Sequence, residues 1–441
     1  MAWKPVSTSS PARTLTSRGP LILGLILLVL FCVWWTWSLK KNQLAAGRRT
    51  WVPYQPFLGL DFLNNYYAAR HWQHGGNPYT EKIGDPLDRP FVYSPVLLVM
   101  FSWCRFFTAR QAVAIWTLGL MAMAALGAMA CRRNRTQLGL WPLPLPFLLA
   151  AVLCSTPVAF ALERGNCDLL VLLMIVAAVP LLSRRSFRGD LLAGACFALA
   201  TWSKSYAGVL GLALLAMRRP RAAGCMALMF VLFAAVDLPD TLAHIASTQN
   251  YLKDYDMPLH WSAHPFAVYW PQLWHGTRLA TLPGILGATV VLLPIVVYVS
   301  WHIRRSPQTR GLLYPYFVWL AGVATFLAPV SNDYNLFFLP VAALAVWDRR
   351  DRVAVHLLMA FLLLWWQPVQ LPIGHALMFC FKLGGVIAIA MCLVTRCREQ
   401  VTLGEEEHEA DEQHEVIESA GAAELNSQRK YSREAECPVP G

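Results

Sequence analysis

Four apolar stretches, near residues 21–39, 111–131, 281–303 and 375–395, each approach the ~20 residues that a helix needs to cross a bilayer. Several shorter apolar runs lie between them. Only 14% of the 441 residues are charged, against roughly 25% in an ordinary soluble domain. Mean hydropathy is +0.42. A chain so poor in charge has lipid as its solvent, which excludes a soluble enzyme and predicts an all-α polytopic membrane protein. The first run follows a basic lead (Lys4, Arg13, Arg18), but bulky Trp34, Trp35 and Trp37 stand where a cleavage site needs small residues. It reads as a retained helix.

The basic residues set the expected topology. Arg132-Arg133, Arg184-Arg185, Arg218-Arg219, Arg304-Arg305 and Arg349-Arg350 punctuate the apolar runs, and the positive-inside rule puts all five pairs on the cytoplasmic side. The run 190–217 then starts and ends on that side and is too long for one crossing, so it must break, at Lys204-Ser205. By the same reasoning Glu163-Arg164-Gly165-Asn166 is an outer turn between runs 143–160 and 167–183, and Ser331-Asn332-Asp333-Tyr334 is another. About twelve crossings result, with both termini cytoplasmic and long outer loops at 40–91 and 238–280. The run 92–108 is re-entrant or interfacial, because a crossing there would put Arg132-Arg133 outside. No internal duplication is visible.

The formal charge of +11 hides a split. Residues 401–441 hold eleven acidic residues against Arg429, Lys430 and Arg433, a net −8, which leaves +19 on the rest of the chain. Such an excess in a membrane protein points to anionic headgroups rather than nucleic acid. The expected organisation is a cytoplasmic segment at 1–19, a transmembrane domain at 20–396 and an acidic tail at 397–441 whose composition reads as disordered. The eleven cysteines lack metal-ligand or redox spacing and read as core filler.

Residues 61–79 read DFLNNYYAARHWQHGGNPY. Phe62, Tyr66, Ala69 and Trp72 or Gln73 share one helical face, as in a short helix lying on the membrane surface. Gly75-Gly76-Asn77-Pro78 should end it by supplying positive φ and a residue that cannot donate. Asp61 at its head reads as an N-cap, as a general base whose pKa partial desolvation would raise, or as both at once.

These residues carry a family resemblance. Asp61-Phe62, Tyr66-Tyr67-Ala68-Ala69-Arg70 and Gly76-Asn77-Pro78-Tyr79 resemble the opening motif of glycosyltransferase family 87, membrane enzymes of the GT-C class that include polyprenyl-phosphate-mannose-dependent mannosyltransferases. Tyr93-Ser94-Pro95 is similar to the family's Tyr-Pro-Pro element, Gly165-Asn166-Cys167-Asp168 to Gly-Gln-x-Asn, Lys204 to the start of Lys-x-x-Pro, and Ser331–Asn335 to a late Ser-x-x-x-Tyr element. Asn166 and Asp168 depart from the usual Gln and Asn, Lys204 lacks its Pro, and no His stands beside Tyr334. The resemblance spans roughly 60–345. It implies a GT-C-like bundle in the plasma (inner) membrane with its active site on the outer face. It also implies a polyprenyl-phosphate sugar donor and a lipid or glycan hydroxyl as acceptor.

The resemblance makes Asp61 the base. Lys204 and Arg164 are then candidates to stabilise the leaving phosphate, with Tyr67, Arg70, Asn77, Tyr79, Asn166, Asp168, Asp333 and Tyr334 in the substrate site. Simpler roles stand beside these: Lys204 as a snorkelling cation, Arg164 as a partner of Glu163, Asp333 as a helix cap. The aromatics of 250–276 suit sugar stacking and equally an interfacial belt. His260, His264 and Asp256 lack a ligand template, so neither a metal nor another cofactor is expected. The rival class is a transporter or lipid flippase, which predicts matched broken helices in two halves.

Overall fold

The computed structural model describes residues 18–41, 58–254, 281–306, 310–327, 333–348, 351 and 382–402. Among them the chain is helical, without strands. Helices are α1 (Arg18–Lys41), α2 (Leu60–Gln73), α3 (Pro95–Met100), α4 (Ala109–Gln137), α5 (Leu145–Leu153), α6 (Thr156–Arg164), α7 (Asp168–Ser183) and α8 (Phe187–Ser203). They continue with α9 (Val209–Ala216), α10 (Pro220–Val236), α11 (Leu238–Asp254), α12 (Thr281–Arg305), α13 (Arg310–Thr325) and α14 (Phe338–Val346). The last, α15, runs over 382–402.

Among the described residues, three helices are long and apolar enough to cross a membrane: Arg18–Thr36, Ala109–Gln137 and Leu286–Arg305. The number rises to five if two bent pairs, α5 with α6 and α10 with α11, each count as one span. Counted with any adjoining 3-10 turns, Pro95–Phe106, Asp168–Ser183, Ser205–Ala216, Gly311–Thr325 and Asn335–Val346 are shorter apolar helices of 10 to 17 residues. The run 143–160 departs from expectation: it is not a straight crossing but bends by 65° between Leu153 and Pro157.

The centre of the bundle is α13 and α14. Nearly every described side chain from Leu312 to Phe326 and from Leu336 to Val346 is buried, as befits helices apolar all round. Trp319 donates its indole N–H to the carbonyl of Val386 at 3.0 Å, and Tyr314 donates to Gly127 at 3.0 Å, so α13 is tied to α15 and α4. The first helix is peripheral. Leu25, Val29 and Val33 remain exposed, and the contact of α1 with α5 is close because Gly24 sets its backbone against Phe147, where a Cβ would overlap the Phe147 main chain.

Two ends of the bundle can be told apart by side-chain contacts. At one, Trp116 near the start of α4 donates to Gly165 O at 2.8 Å. At the other, Arg135 near the end of α4 is 1% exposed and donates to the carbonyls of Trp141, Leu344 and Trp347. The last two carbonyls close α14, so a buried cation sits on the negative end of that helix. All the elements that carry Asp61, Arg164, Asp168 and Lys204 meet at the Trp116 end.

Candidate active site

The expected turn and break both occur, and they bring the site together. α6 ends at Arg164, and Gly165 follows in the left-handed conformation with φ +69°. Asn166 N–H closes the turn on Ala161 O at 2.9 Å and Gly165 N–H on Leu162 O at 3.1 Å, a helix-terminating pair of bonds that needs positive φ at the glycine. A Cβ on Gly165 would also lie 2.7 Å from Cβ of Phe62 and 3.2 Å from Cα of Gly59. Gly165→Ala is therefore expected to lower stability by about 2 kcal/mol or more. It would also push α6 away from α2, so melting temperature and any activity should fall together. An alanine variant that melts like wild type would show that the turn relaxes freely.

α2 is a correction to the sequence reading. It begins at Leu60 behind Gly59, which has φ +78° and makes no side-chain cap bond. Asp61 is therefore inside the first turn and does not serve as the N-cap. Nor does the helix lie on a surface with one face to water: Asp61, Phe62, Leu63, Asn64, Asn65, Tyr66, Ala68 and Ala69 are all buried. Phe62 stacks on Trp116 and Trp103, and Tyr66 donates to Phe107 O at 3.0 Å. The helix does stop where expected, with Gly75 at φ +85°.

Asp61 is the hub. Arg164 grips it with two parallel bonds, Nε to Oδ2 at 2.8 Å and Nη2 to Oδ1 at 2.5 Å. Asn166 Nδ2 donates to Oδ2 at 2.9 Å. Arg89 approaches Oδ1 at 3.4 Å while it donates to Asp85 through Nε and Nη2 and to Leu60 O at 2.6 Å. Burial pushes the Asp61 carboxyl up, but the charge and hydrogen bonds of Arg164, with the charges of Arg89 and Lys204, outweigh it and hold the group at about 2 against an ordinary 3.8. The expected rise is thus replaced by a fall, because three cations surround a group the sequence showed only as partly desolvated.

That shift links stability to pH. A carboxylate whose folded pKa lies below its unfolded value stabilises the fold above the unfolded pKa, near 4, and loses that contribution as pH falls toward the folded value, near 2. The contribution is about 2 kcal/mol. The melting temperature of the wild type should fall more steeply between pH 4 and pH 2 than that of Asp61→Asn. Parallel curves would mean that Asp61 is not held ionised in the fold.

Lys204 sits at the break. α8 stops at Ser203, Lys204 is extended at φ −151° and ψ 114°, and a 3-10 turn over Ser205–Gly208 leads into α9. Its ammonium lies 3.5 Å from Asp168 Oδ2 and 5.2 Å from the ring centre of Tyr93. Tyr206, in the 3-10 turn, donates to Asp168 Oδ1. Asp168 is fully buried at the head of α7, where its N–H bonds Asn166 Oδ1 at 3.1 Å. Asp61, Arg164, Asn166, Asp168 and Lys204 thus form one network drawn from three separate segments. Arg164, Arg89 and Lys204 keep 23%, 27% and 17% of their side chains exposed, so the cations rather than the carboxylates face outward.

Other expected residues lie apart from Asp61. Arg70 donates to the Tyr66 hydroxyl at 2.6 Å, and Tyr67 is half-buried beside Tyr66. Asn77 accepts from Tyr79 N–H at 2.9 Å, and Tyr79 donates to Tyr93 O at 3.1 Å. Those bonds shape the loop that carries Tyr93 to Lys204. The side chains of Asp333 and Tyr334, and residues 255–280 with His260 and His264, lie outside the described residues. No group of three or more potential metal ligands occurs among the described residues.

Arg89, Asp85, Tyr93 and Tyr206 complete the network without having been singled out as site residues. Arg89 carried a signal: it is an arginine outside the five basic pairs, a few residues before Tyr93-Ser94-Pro95.

No curated protein matches the chain. The sequence model of glycosyltransferase family 87 matches residues 91–364, more than half of its length, and takes in Tyr93, Arg164–Asp168 and Lys204, while the Asp61 motif precedes the matched span. A membrane-type helical bundle with this match belongs to glycosyltransferase family 87.

Proposed function

We propose that this membrane glycosyltransferase moves a hexose, with mannose the expected sugar, from a polyprenyl-phosphate donor to a hydroxyl of a lipid or glycan acceptor. The reaction takes place at the outer face of the plasma membrane, within a bundle of about twelve crossings, and inverts the anomeric carbon. The acceptor oxygen attacks that carbon, the bond to the phosphate oxygen breaks, and its electron pair leaves with the lipid phosphate. Asp61 takes the hydroxyl proton. Arg164 and Lys204 hold the phosphate on which charge accumulates.

One observation carries this reading: a buried carboxylate shares its surroundings with three partly exposed cations, two of them, Arg164 and Lys204, at the ends of interrupted helices. The donor's phosphodiester carries one negative charge, which grows to two as the lipid phosphate leaves, and it competes with Asp61 for Arg164. Once the phosphate draws Arg164 away, burial is less opposed and the proton affinity of Asp61 rises toward that of a useful base. Arg89, anchored by Asp85, stays to fix the carboxylate.

Membranes containing the protein should transfer label from polyprenyl-phosphate mannose to an endogenous lipid or glycan, and from nucleotide sugars only through that intermediate. Lys204→Ala should raise the KM for the donor about tenfold, the loss of one charge-assisted contact to phosphate. Transfer straight from a nucleotide sugar, or an unchanged donor KM in Lys204→Ala, would contradict the assignment.

A further inference from the structure

The turns that close the opposite end of the bundle concentrate arginine. α7 runs away from Asp168 and α8 returns to Lys204, so the turn at 184–186 lies at the Arg135 end. α9 leaves Gly208 and runs back beside them, so the turn at 217–219 lies there too. The two turns are neighbours: Arg221 at the head of α10 bonds Asp190 at the head of α8 at 2.6 Å, and Gly194 of α8 packs on the backbone of Cys225 and Met226 in α10. Arg184, Arg185, Arg188, Arg218 and Arg221 are exposed and Arg219 half-exposed, with Asp190 engaged by Arg221.

Two of these arginines have an unusual backbone. Arg185 has φ +51° and Arg218 φ +55°, each just past the end of a helix, at positions where glycine would be unstrained. Arginine is present at both in spite of that cost, which points to a use for the charge.

The same molecule carries the opposite charge at the same end. Arg396 of α15 donates to Val346 O at the close of α14, next to the carbonyls that bind Arg135, so α15 leaves the bundle at the Arg135 end. Beyond residue 402, Glu405 to Glu418 supply eight carboxylates in fourteen residues with no lysine or arginine among them. Sixteen residues of chain can span up to about 55 Å, which reaches across the end of such a bundle. A tethered partner acts at an effective concentration in the millimolar range, so even weak pairing is populated.

We infer that the acidic segment 405–418 docks on the arginine face made by the turns after α7 and α9, an intramolecular contact set by charge. The contact rests on the fold and the sequence and is independent of the donor and acceptor. Anionic headgroups are the competitor for the same arginines.

The test uses the full chain in a neutral detergent at low salt. Arg185→Lys with Arg218→Lys keeps the charge and offers amines to a carbodiimide, and mass spectrometry should find those positions joined to Glu405–Glu418 peptides. The yield should fall at least fivefold in 1 M NaCl, because pairing of exposed charges is screened. A second variant, Arg185→Gly with Arg218→Gly, relieves the backbone while removing charge, and should let a Glu-specific protease cut 405–418 several-fold faster. Absence of these links, or equal cutting of the glycine variant and wild type, would overturn the docking. So would links that vanish when the protein is placed in bilayers containing anionic phospholipid, since the face would then belong to headgroups.

Discussion

Asp61→Asn should lower turnover by about 100- to 10,000-fold while leaving donor affinity undiminished. The amide cannot take the proton of the acceptor hydroxyl, which accounts for the loss in rate. The affinity follows from the ion pairs. Arg164 spends both arms of its guanidinium on Asp61, and with the carboxylate gone it can turn to phosphate without first breaking that pair. The substitution also has a structural cost, because Asp61 is 4% exposed and its cations lose a counter-ion. Breaking a buried pair costs about 3 to 5 kcal/mol, and less where, as here, the cations are partly solvated. A purely structural role would therefore lower kcat and donor affinity together. The measurement is kcat and donor KM for purified wild type and Asp61→Asn, with melting temperatures alongside. Near-normal turnover in Asp61→Asn would remove Asp61 from the proton transfer and leave it as a tether for Arg164.

Much of this site was legible because an ionisable residue in an apolar chain must find partners. Glu163-Arg164-Gly165-Asn166 and Lys204-Ser205 interrupt apolar runs, and the structure ends helices at both. Asp61, Arg164, Asn166, Asp168 and Lys204 come together because burying any of them alone would be costly. What the residues could not show is the sign and number of the charges around each one. Burial does push the Asp61 carboxyl upward as expected, but it shifts downward because Arg164 pairs with it, and Arg89, 28 residues further on, folds back beside it. The burial of α2 escaped for a related reason. Phe62, Tyr66 and Ala69 mark one apolar face, but Asn64 and Asn65 on the other face are buried as well, satisfied in part by Arg89 O and Asp61 O. Amides look like surface until the chain that covers them is known. Crossing number was harder still, since α5 and α6 bend by 65° inside the single apolar run 143–160.

Arg164→Lys should lower turnover by about 100- to 1,000-fold and raise donor KM, although it conserves charge. Arginine presents a planar fork that binds two oxygens at once, and Arg164 uses it on Asp61 through Nε and Nη2. Lysine offers a single point charge on a flexible stem. It can neutralise Asp61 at rest, so folding should survive, but it cannot hold two phosphate oxygens in line as the bond to the anomeric carbon breaks. Loss of one such preorganised donor typically costs about 100- to 1,000-fold in rate. The fold offers little compensation from the other two cations: Arg89 is committed to Asp85 and Leu60 O, and Lys204, already assigned to the phosphate, is itself a point charge without the fork. Comparing Arg164→Lys with Lys204→Arg in the transfer assay separates geometry from charge. The second variant adds a fork where a point charge stood and should lose far less. Equal turnover in Arg164→Lys and wild type would mean that Arg164 serves only to neutralise Asp61, and that the leaving phosphate is stabilised by other groups.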